Sequence, residues 1–160
     1  MRTAVNSTAQ SSAESANLER NRILFALIAA CAVAGVIVSG ISLQRHYAKS
    51  ATQFCDFNQK FSCDVVNRSE YSNIIGIPVA GIGAVGYGVL LVLATFLRTR
   101  AETANRLLGA ALAGLAFASY LTYIEAWVLE TWCILCLISL GLISMISLLA
   151  VIAKLRGVKA

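Results

Sequence analysis

Four stretches of this chain carry no charged residue for 18 positions or more, and they constrain the fold more than any other feature. They are Ile23–Leu43, Ile74–Leu97, Leu107–Ile124 and Thr131–Ala153. A helix of roughly 20 apolar residues crosses the hydrocarbon core of a bilayer. Since lipid offers the backbone no hydrogen-bond partners, such runs are expected to be helices. We therefore predict an all-α membrane protein, a four-helix transmembrane bundle. Its spans are placed at about 23–43, 74–97, 107–127 and 131–153.

The composition agrees with a chain that contacts lipid. Hydrophobic residues make up 58% of the sequence and charged residues only 13%, whereas a soluble domain averages about 25% charged residues. The net charge of +5 would suit a nucleic-acid partner. The basic residues, however, cluster at the ends of the apolar runs, so we predict contact with membrane lipid and no nucleic-acid partner.

The charge pattern also predicts domains and orientation. Nine of the thirteen basic residues lie at one end of the predicted spans: Arg2, Arg20, Arg22, Arg98, Arg100, Arg106, Lys154, Arg156 and Lys159. Basic residues favour the cytoplasmic side. We therefore predict a disordered cytoplasmic tail at 1–21, rich in small polar residues, a transmembrane domain at 22–153 and a cytoplasmic tail at 154–160. A long extracytoplasmic loop, Gln44–Asn73, separates helices 1 and 2.

Four of the five cysteines fall on the predicted extracytoplasmic side. Cys55 and Cys63 lie in the long loop, and Cys133 and Cys136 lie at the start of the last span. Disulfides persist in compartments outside the cytoplasm. Cys31, in the middle of the first span, is interpreted as a small buried hydrophobic residue.

The pair Cys133 and Cys136 is spaced to react as a unit. Residues three apart share one face of a helix, and the positive helix N-terminus lowers the pKa of a thiol such as Cys133. We expect Cys133 in the first turn, facing water and the loop, and Cys136 facing apolar space, where only a membrane-soluble electron acceptor such as a quinone reaches it. Two alternatives remain open, namely static disulfides and a zinc ion. We predict no metal, because seven residues separate Cys55 from Cys63.

Two motifs occur in a specific order. The pattern C-x7-C-D-x-V…S…G-I-P-V-x-x-x-G-x-x-G-Y runs from Cys55 to Tyr87, and C-I-L-C follows at 133–136. Together they resemble the bacterial vitamin K epoxide reductase family, over roughly Ile23 to Ala153.

The resemblance implies a function. Cys133 and Cys136 would be the active-site pair, with Cys136 next to a quinone, and Cys55 and Cys63 would be the shuttle pair. Ser69 would cap the quinone pocket. The protein would be an oxidoreductase of the bacterial inner membrane that forms disulfides in an extracytoplasmic thioredoxin-like partner, with ubiquinone or menaquinone as electron acceptor.

The sequence departs from this family in three respects. No thioredoxin-like domain follows the last span, so the expected partner is a separate protein. Leu140 and Val79 stand where the vertebrate enzymes have a tyrosine and an asparagine. We therefore expect a plain quinone rather than vitamin K epoxide as substrate.

Other residues near the outer ends of the spans are further candidates. Tyr120 and Tyr123 could bind a quinone oxygen, although an interfacial aromatic belt that includes Trp127 is the alternative reading. Glu125 is interpreted as a wet interfacial carboxylate. The segment Asp64–Asn73 is predicted to form a short helix that acts as a lid.

Two other functions fit the sequence. One is a non-catalytic membrane scaffold that two structural disulfides stabilise. The other is the unrelated four-helix quinone reductase of the bacterial disulfide pathway, in which the CxxC pair lies in the first outer loop rather than the second.

Overall fold

The computed structural model describes residues 2–47, 62–63, 66, 69, 72–74, 76–96 and 102–155; the side chains of 2–18 and 74 lie outside the description. Within these residues there are four long helices: α1 (Arg2–Tyr47), α2 (Val79–Thr95), α3 (Thr103–Trp127) and α4 (Ile134–Leu155). A two-stranded antiparallel hairpin, β1 (Asn73–Ile74) and β2 (Ile77–Pro78), precedes α2. The described part of the chain is therefore mostly helical, as predicted, except for this short hairpin, while most of the predicted long loop lies outside it.

Three of the described helices are long and apolar enough to cross a membrane. They are the Glu19–Tyr47 part of α1, α3 and α4. Helix α2 is equally apolar but has 17 residues, which is the lower limit for a span. The protein is a membrane protein by this measure.

The hairpin explains why α2 is shorter than its predicted span. We predicted a span from Ile74, but the backbone turns back at Gly76, whose φ of 80° is in the left-handed region that glycine adopts without steric cost. Ile74 pairs with Ile77, and Asn73 with Pro78. Pro78 is the N-cap of α2; proline tolerates a helix start because its missing N–H would have no partner there.

The N-terminal segment corrects another expectation. The sequence predicted disorder for residues 1–21, but α1 begins at Arg2. Once the apolar part of α1 has formed, each further residue adds a hydrogen bond without a new nucleation cost, and this segment contains four alanines, the strongest helix formers. Its cytoplasmic location stays a prediction.

The helices pack around a core that fills one half of the bundle. Helix α1 packs against α2 and α4, and α3 packs against α2 and α4. The core draws on the first half of the apolar part of α1 (Glu19–Tyr47), the second half of α2, the first half of α3 and mainly the second half of α4. Its large buried members are Phe25, Ile28, Tyr87, Leu90, Leu93, Leu107, Ile143 and Ile146.

The outer surface of the bundle is apolar. Large hydrophobic side chains stand exposed on all four helices, among them Ile37, Val85, Leu112 and Leu148. A soluble protein rarely exposes apolar side chains over so much of its surface. In a bilayer these side chains contact lipid tails, which stabilises this arrangement.

Candidate active site

Three cysteines meet in a second, smaller buried cluster, at the other end of the described helices from the main core. The Cys63 and Cys133 side chains are completely buried, and Val66 and Leu135 pack with them. The Cys133 thiol is hydrogen-bonded to both Cys63 and Cys136. All three are free thiols in the structure. The sulfur of Cys133 therefore lies between the other two.

The start of α4 fixes the position of Cys133. The backbone N–H of Leu137 donates to the carbonyl of Cys133 at 3.0 Å, and the helix begins at Ile134. Cys133 is thus the residue immediately before the helix. We had predicted that it lies in the first turn, and the structure corrects this. Cys136, the third residue of α4, lies on the helix itself.

The environment of Cys133 differs from the predicted one. The pKa of this thiol is raised above its ordinary value, chiefly by its hydrogen bond to the Cys136 thiol. The hydrogen bond to Cys63 lowers the pKa, and burial raises it further. The expectation of a water-facing thiolate was therefore wrong, because Cys133 is completely buried and its thiol is hydrogen-bonded to Cys136, which favours the protonated form.

A buried carboxylate lies beside the two cysteines of the CxxC pair. Glu125, near the end of α3, is 2% exposed. Its Oε2 accepts a hydrogen bond from the backbone N–H of Cys133 at 3.1 Å, and its side chain also accepts one from the Cys136 thiol. One carboxylate oxygen and the sulfurs of Cys133 and Cys136 lie within 4.8 Å of one another. We had interpreted Glu125 as wet, and the structure corrects this.

The tight turn from α3 to α4 brings Glu125 to this position. The backbone N–H of Thr131 donates to the carbonyl of Glu125 at 3.2 Å, so the turn folds back over the last residues of α3. Glu130 within the turn has a φ of 47°, a left-handed conformation that is costly for a residue with a Cβ. This turn places the N–H of Cys133 over the Glu125 carboxylate.

A cavity of about 410 Å³ opens between the helices next to this cluster. All four helices contribute to its wall, which is mainly apolar, with Cys136 and Glu125 among the few polar groups. Val66, Ser69 and Ser72 also line the cavity, and successive backbone hydrogen bonds join Ser69 to Val66 and Ser72 to Ser69. The cavity is within the size range of small-molecule sites, and its lining is typical of them.

The family model of the vitamin K epoxide reductase family matches residues 26–152. The chain belongs to the vitamin K epoxide reductase family. It is therefore a membrane protein of an oxidoreductase family whose enzymes use quinones. No curated protein matches the chain.

The cavity fits the quinone that the family uses. A quinone ring is flat and apolar with two carbonyl oxygens, and it needs apolar walls and one or two polar groups. The apolar wall residues come from all four helices, and Cys136 opens onto the cavity. The residues that would hold the ring include Val38, Ile82, Leu90, Phe117, Leu121 and Leu135. A quinone bound here would supply an electron acceptor beside Cys136.

The predicted binding residues divide into two groups. Ser69 lines the cavity, and its hydroxyl donates to the carbonyl of Val66 at 2.8 Å; its role toward a quinone stays a prediction. Tyr120 and Tyr123 do not line the cavity and are 58% and 59% exposed. The structure places these two tyrosines on the outer face of α3 with Trp127, whose ring lies 6.2 Å from that of Tyr123. This position fits an interfacial aromatic belt and does not fit quinone binding in the cavity.

Tyr87 is a cavity residue that the sequence pattern did not reveal as one. Tyr87 is buried and lines the cavity, and its hydroxyl donates to the Ser139 carbonyl at 2.8 Å, with the Ser139 hydroxyl at 2.9 Å. Tyr87 closes the motif that carried the family resemblance, so the signal was present but was used only for recognition. For Glu125 the signal was an ionisable residue at membrane depth, which is a functional candidate by default.

The described residues include only some of those on which the remaining predictions for the site depend. Cys55 and Asp64 lie outside the described residues, so the pairing of Cys55 with Cys63 stays a prediction. Cys63 and Val66 are helical, as a short lid helix requires. Glu125, Cys133 and Cys136 have ligand atoms close enough for a metal ion, but disulfide formation would remove both thiolates. Our prediction of no metal is not tested.

Proposed function

We propose that the protein is a quinone-dependent thiol–disulfide oxidoreductase of the bacterial inner membrane. It would couple disulfide formation in an extracytoplasmic thioredoxin-like partner to the reduction of a quinone, either ubiquinone or menaquinone. The observation that supports this most directly is the order of the thiols. Cys63 contacts Cys133, Cys133 contacts Cys136, and Cys136 opens onto an apolar cavity.

The first step of the proposed reaction is thiol–disulfide exchange at Cys133. The oxidised enzyme holds a Cys133–Cys136 disulfide, and the partner has reduced the loop pair. The Cys63 thiolate attacks the sulfur of Cys133, a Cys63–Cys133 bond forms, and the Cys133–Cys136 bond breaks. Cys55 then displaces Cys133 from Cys63. The net change is an oxidised loop pair and a reduced CxxC pair, with no electrons lost.

The raised pKa of Cys133 is compatible with electron flow from the loop pair through the CxxC pair to the quinone. When Cys63 attacks, Cys133 is the disulfide sulfur that is attacked and does not need to be a thiolate; when Cys55 later displaces it, Cys133 leaves and takes up a proton. Once reduced, a thiol with a raised pKa keeps its proton at neutral pH and is a poor nucleophile. The reduced CxxC pair is therefore protected from side reactions until an electron acceptor reaches Cys136 through the cavity.

The second step of the proposed reaction transfers two electrons to the quinone. The thiols of Cys133 and Cys136 lose two electrons and two protons and form the disulfide bond. The quinone gains both and leaves as a quinol. Over a full cycle, one partner dithiol and one quinone become one partner disulfide and one quinol.

The proposed function is tested with the purified protein in detergent under anaerobic conditions. A reduced thioredoxin-like protein serves as donor and a short-chain, fully ring-substituted quinone as acceptor, which prevents thiol addition to the ring. We expect steady quinol formation that Cys136→Ser abolishes. Cys31→Ser is the matched control, because Cys31 lies in the middle of α1, where its sulfur contacts that of Met145 at 3.8 Å.

Two results would count against the proposal. One is wild-type protein that forms no quinol although its cysteines can be reduced. The other is Cys136→Ser protein that retains turnover. If wild type forms no quinol and its cysteines are also unreactive, the scaffold with two structural disulfides would be favoured.

A further inference from the structure

Glu125 is a carboxylate that the fold does not require. Its side chain is buried, and its Oε1 has no hydrogen-bond partner among the described residues. Burial of a carboxylate carries a large desolvation penalty unless its oxygens are well paired. The one structural bond, from the N–H of Cys133 to Oε2 at 3.1 Å, needs only an oxygen acceptor, which a glutamine also offers. A purely structural role would therefore not select an acid here.

The position of Glu125 suits proton transfer to and from the CxxC pair. Its carboxylate accepts the hydrogen bond of the Cys136 thiol, and both side chains line the same cavity. A proton acceptor must lie within hydrogen-bond reach of the group that it deprotonates. Glu125 meets this condition at Cys136 and also has an unpartnered oxygen.

Other titratable groups are near but are placed differently. Among the described residues that line the cavity these are His46 and Tyr87. Tyr87 donates its proton in a bond to the Ser139 carbonyl. Beside the CxxC pair lies the buried thiol of Cys63. The hydrogen bonds of the Cys136 thiol are to Cys133 and Glu125.

We propose that Glu125 is a catalytic residue that carries the proton of the Cys136 thiol to an oxygen of the bound quinone. The inference rests on the proposed function. As the electron pair leaves Cys136, its S–H bond breaks and the proton moves to the Glu125 carboxylate. The carboxylic acid then gives this proton to a quinone oxygen. As the Cys133–Cys136 disulfide bond forms, Cys133 releases the second proton, which goes to the other quinone oxygen. The quinone has then gained two electrons and two protons, and Glu125 ends ionised as it began.

The test measures the rate of the first quinone reduction in the full-length protein. All thiols are reduced, the excess reductant is removed, and the protein is mixed anaerobically with the short-chain, fully substituted quinone at several concentrations. Quinol formation is followed in wild type, Glu125→Gln and Glu125→Asp. Glu130→Gln is the matched control, because it removes an exposed carboxylate from the adjacent turn.

We expect Glu125→Gln to lower the limiting rate by about 100-fold, the lower end of what a general acid–base group contributes. The quinone concentration at half-maximal rate should change less than threefold, because glutamine keeps the bond to the N–H of Cys133. Glu125→Asp, which keeps a carboxylic acid, should be faster than Glu125→Gln. Glu130→Gln should match wild type within twofold.

A limiting rate in Glu125→Gln that stays within tenfold of wild type would overturn the inference and leave Glu125 as a positioning residue. A Glu125→Asp variant no faster than Glu125→Gln would also overturn it. If Glu125→Gln does not fold, Glu125→Asp and Glu125→Ala are each compared with wild type. The inference is then contradicted if both variants keep the wild-type limiting rate. Failure of the proposed function looks different, since wild type itself would then form no quinol or Cys136→Ser would still form it.

Discussion

Cys133 contacts two other cysteines that lie in different surroundings. On one side it contacts Cys63 from the predicted loop, and on the other it contacts Cys136, which opens onto the cavity. Because its own side chain is completely buried, a dissolved oxidant cannot reach it directly. In the proposed relay, electrons pass between the loop and the cavity through this sulfur.

Tyr87 connects α2 to the turn of α4 that follows Cys136. Its hydroxyl donates to the Ser139 carbonyl at 2.8 Å, and loss of a buried hydrogen bond costs about 1 kcal/mol. For a chain of this size, that corresponds to a fall of about 2–4 °C in Tm. We predict this shift for Tyr87→Phe in thermal unfolding of the detergent-solubilised protein.

The control for this prediction is Tyr120→Phe. Tyr120 is 58% exposed on the outer face of α3, so its hydroxyl should contribute little to stability and Tm should not change. Equal shifts in the two variants would show that the Tyr87 bond has no special role.

At the residue scale, the sequence predicted which cysteines form the site but not which residues surround them. Spacing and charge were enough to place Cys133 and Cys136 together, because a helix fixes the relation of residues three apart. They could not tell which face of α3 turns inward. In a membrane helix the lipid-facing side is as apolar as the packed side, so Tyr120 and Glu125 looked equally peripheral.

The contact of α1 with α2 depends on Gly35. A Cβ at this position would overlap the ring of Tyr87, so Gly35→Ala would push the tyrosine away or separate the helices. Overpacking of this kind costs typically about 1–3 kcal/mol. We predict that Gly35→Ala lowers the free energy of unfolding by this amount, as measured by denaturant titration in detergent.

Gly40→Ala is the control in the same helix. Gly40 is exposed, and a Cβ there would meet nothing within 4 Å. An alanine should leave stability unchanged or raise it by up to about 1 kcal/mol through helix propensity. If Gly35→Ala is as stable as Gly40→Ala, the close packing of α1 on α2 is wrong.

At the element scale, the sequence predicted which segments are helical better than where the helices begin. The absence of charge marks an apolar helix, but its first residue depends on local backbone geometry. Helix α2 begins at Val79 because the chain turns at Gly76, and α4 begins at Ile134 because Cys133 is its cap. Only the positions of glycine and proline hinted at the first of these.

The described part of the bundle has its core toward one end and its thiols at the other. The core lies toward the first half of the apolar part of α1 and the last half of α4, and the cavity extends from the thiols to core residues such as Leu90. The predicted orientation puts the end with the thiols outside the cytoplasm, where a thioredoxin-like partner could reach the loop. This arrangement would separate the partner from the quinone while the three sulfurs connect them.

The measurement that tests the account most directly uses the reduced protein and quinone alone, with no partner. The Cys63→Ser variant is reduced, mixed anaerobically with excess short-chain, fully substituted quinone, quenched in acid and alkylated. Quinol is quantified, and mass spectrometry of peptides identifies the disulfide. The account predicts about one quinol per chain and a Cys133–Cys136 disulfide. Absence of quinol, or quinol without this disulfide, would contradict the claim that the CxxC pair is the site that reduces quinone.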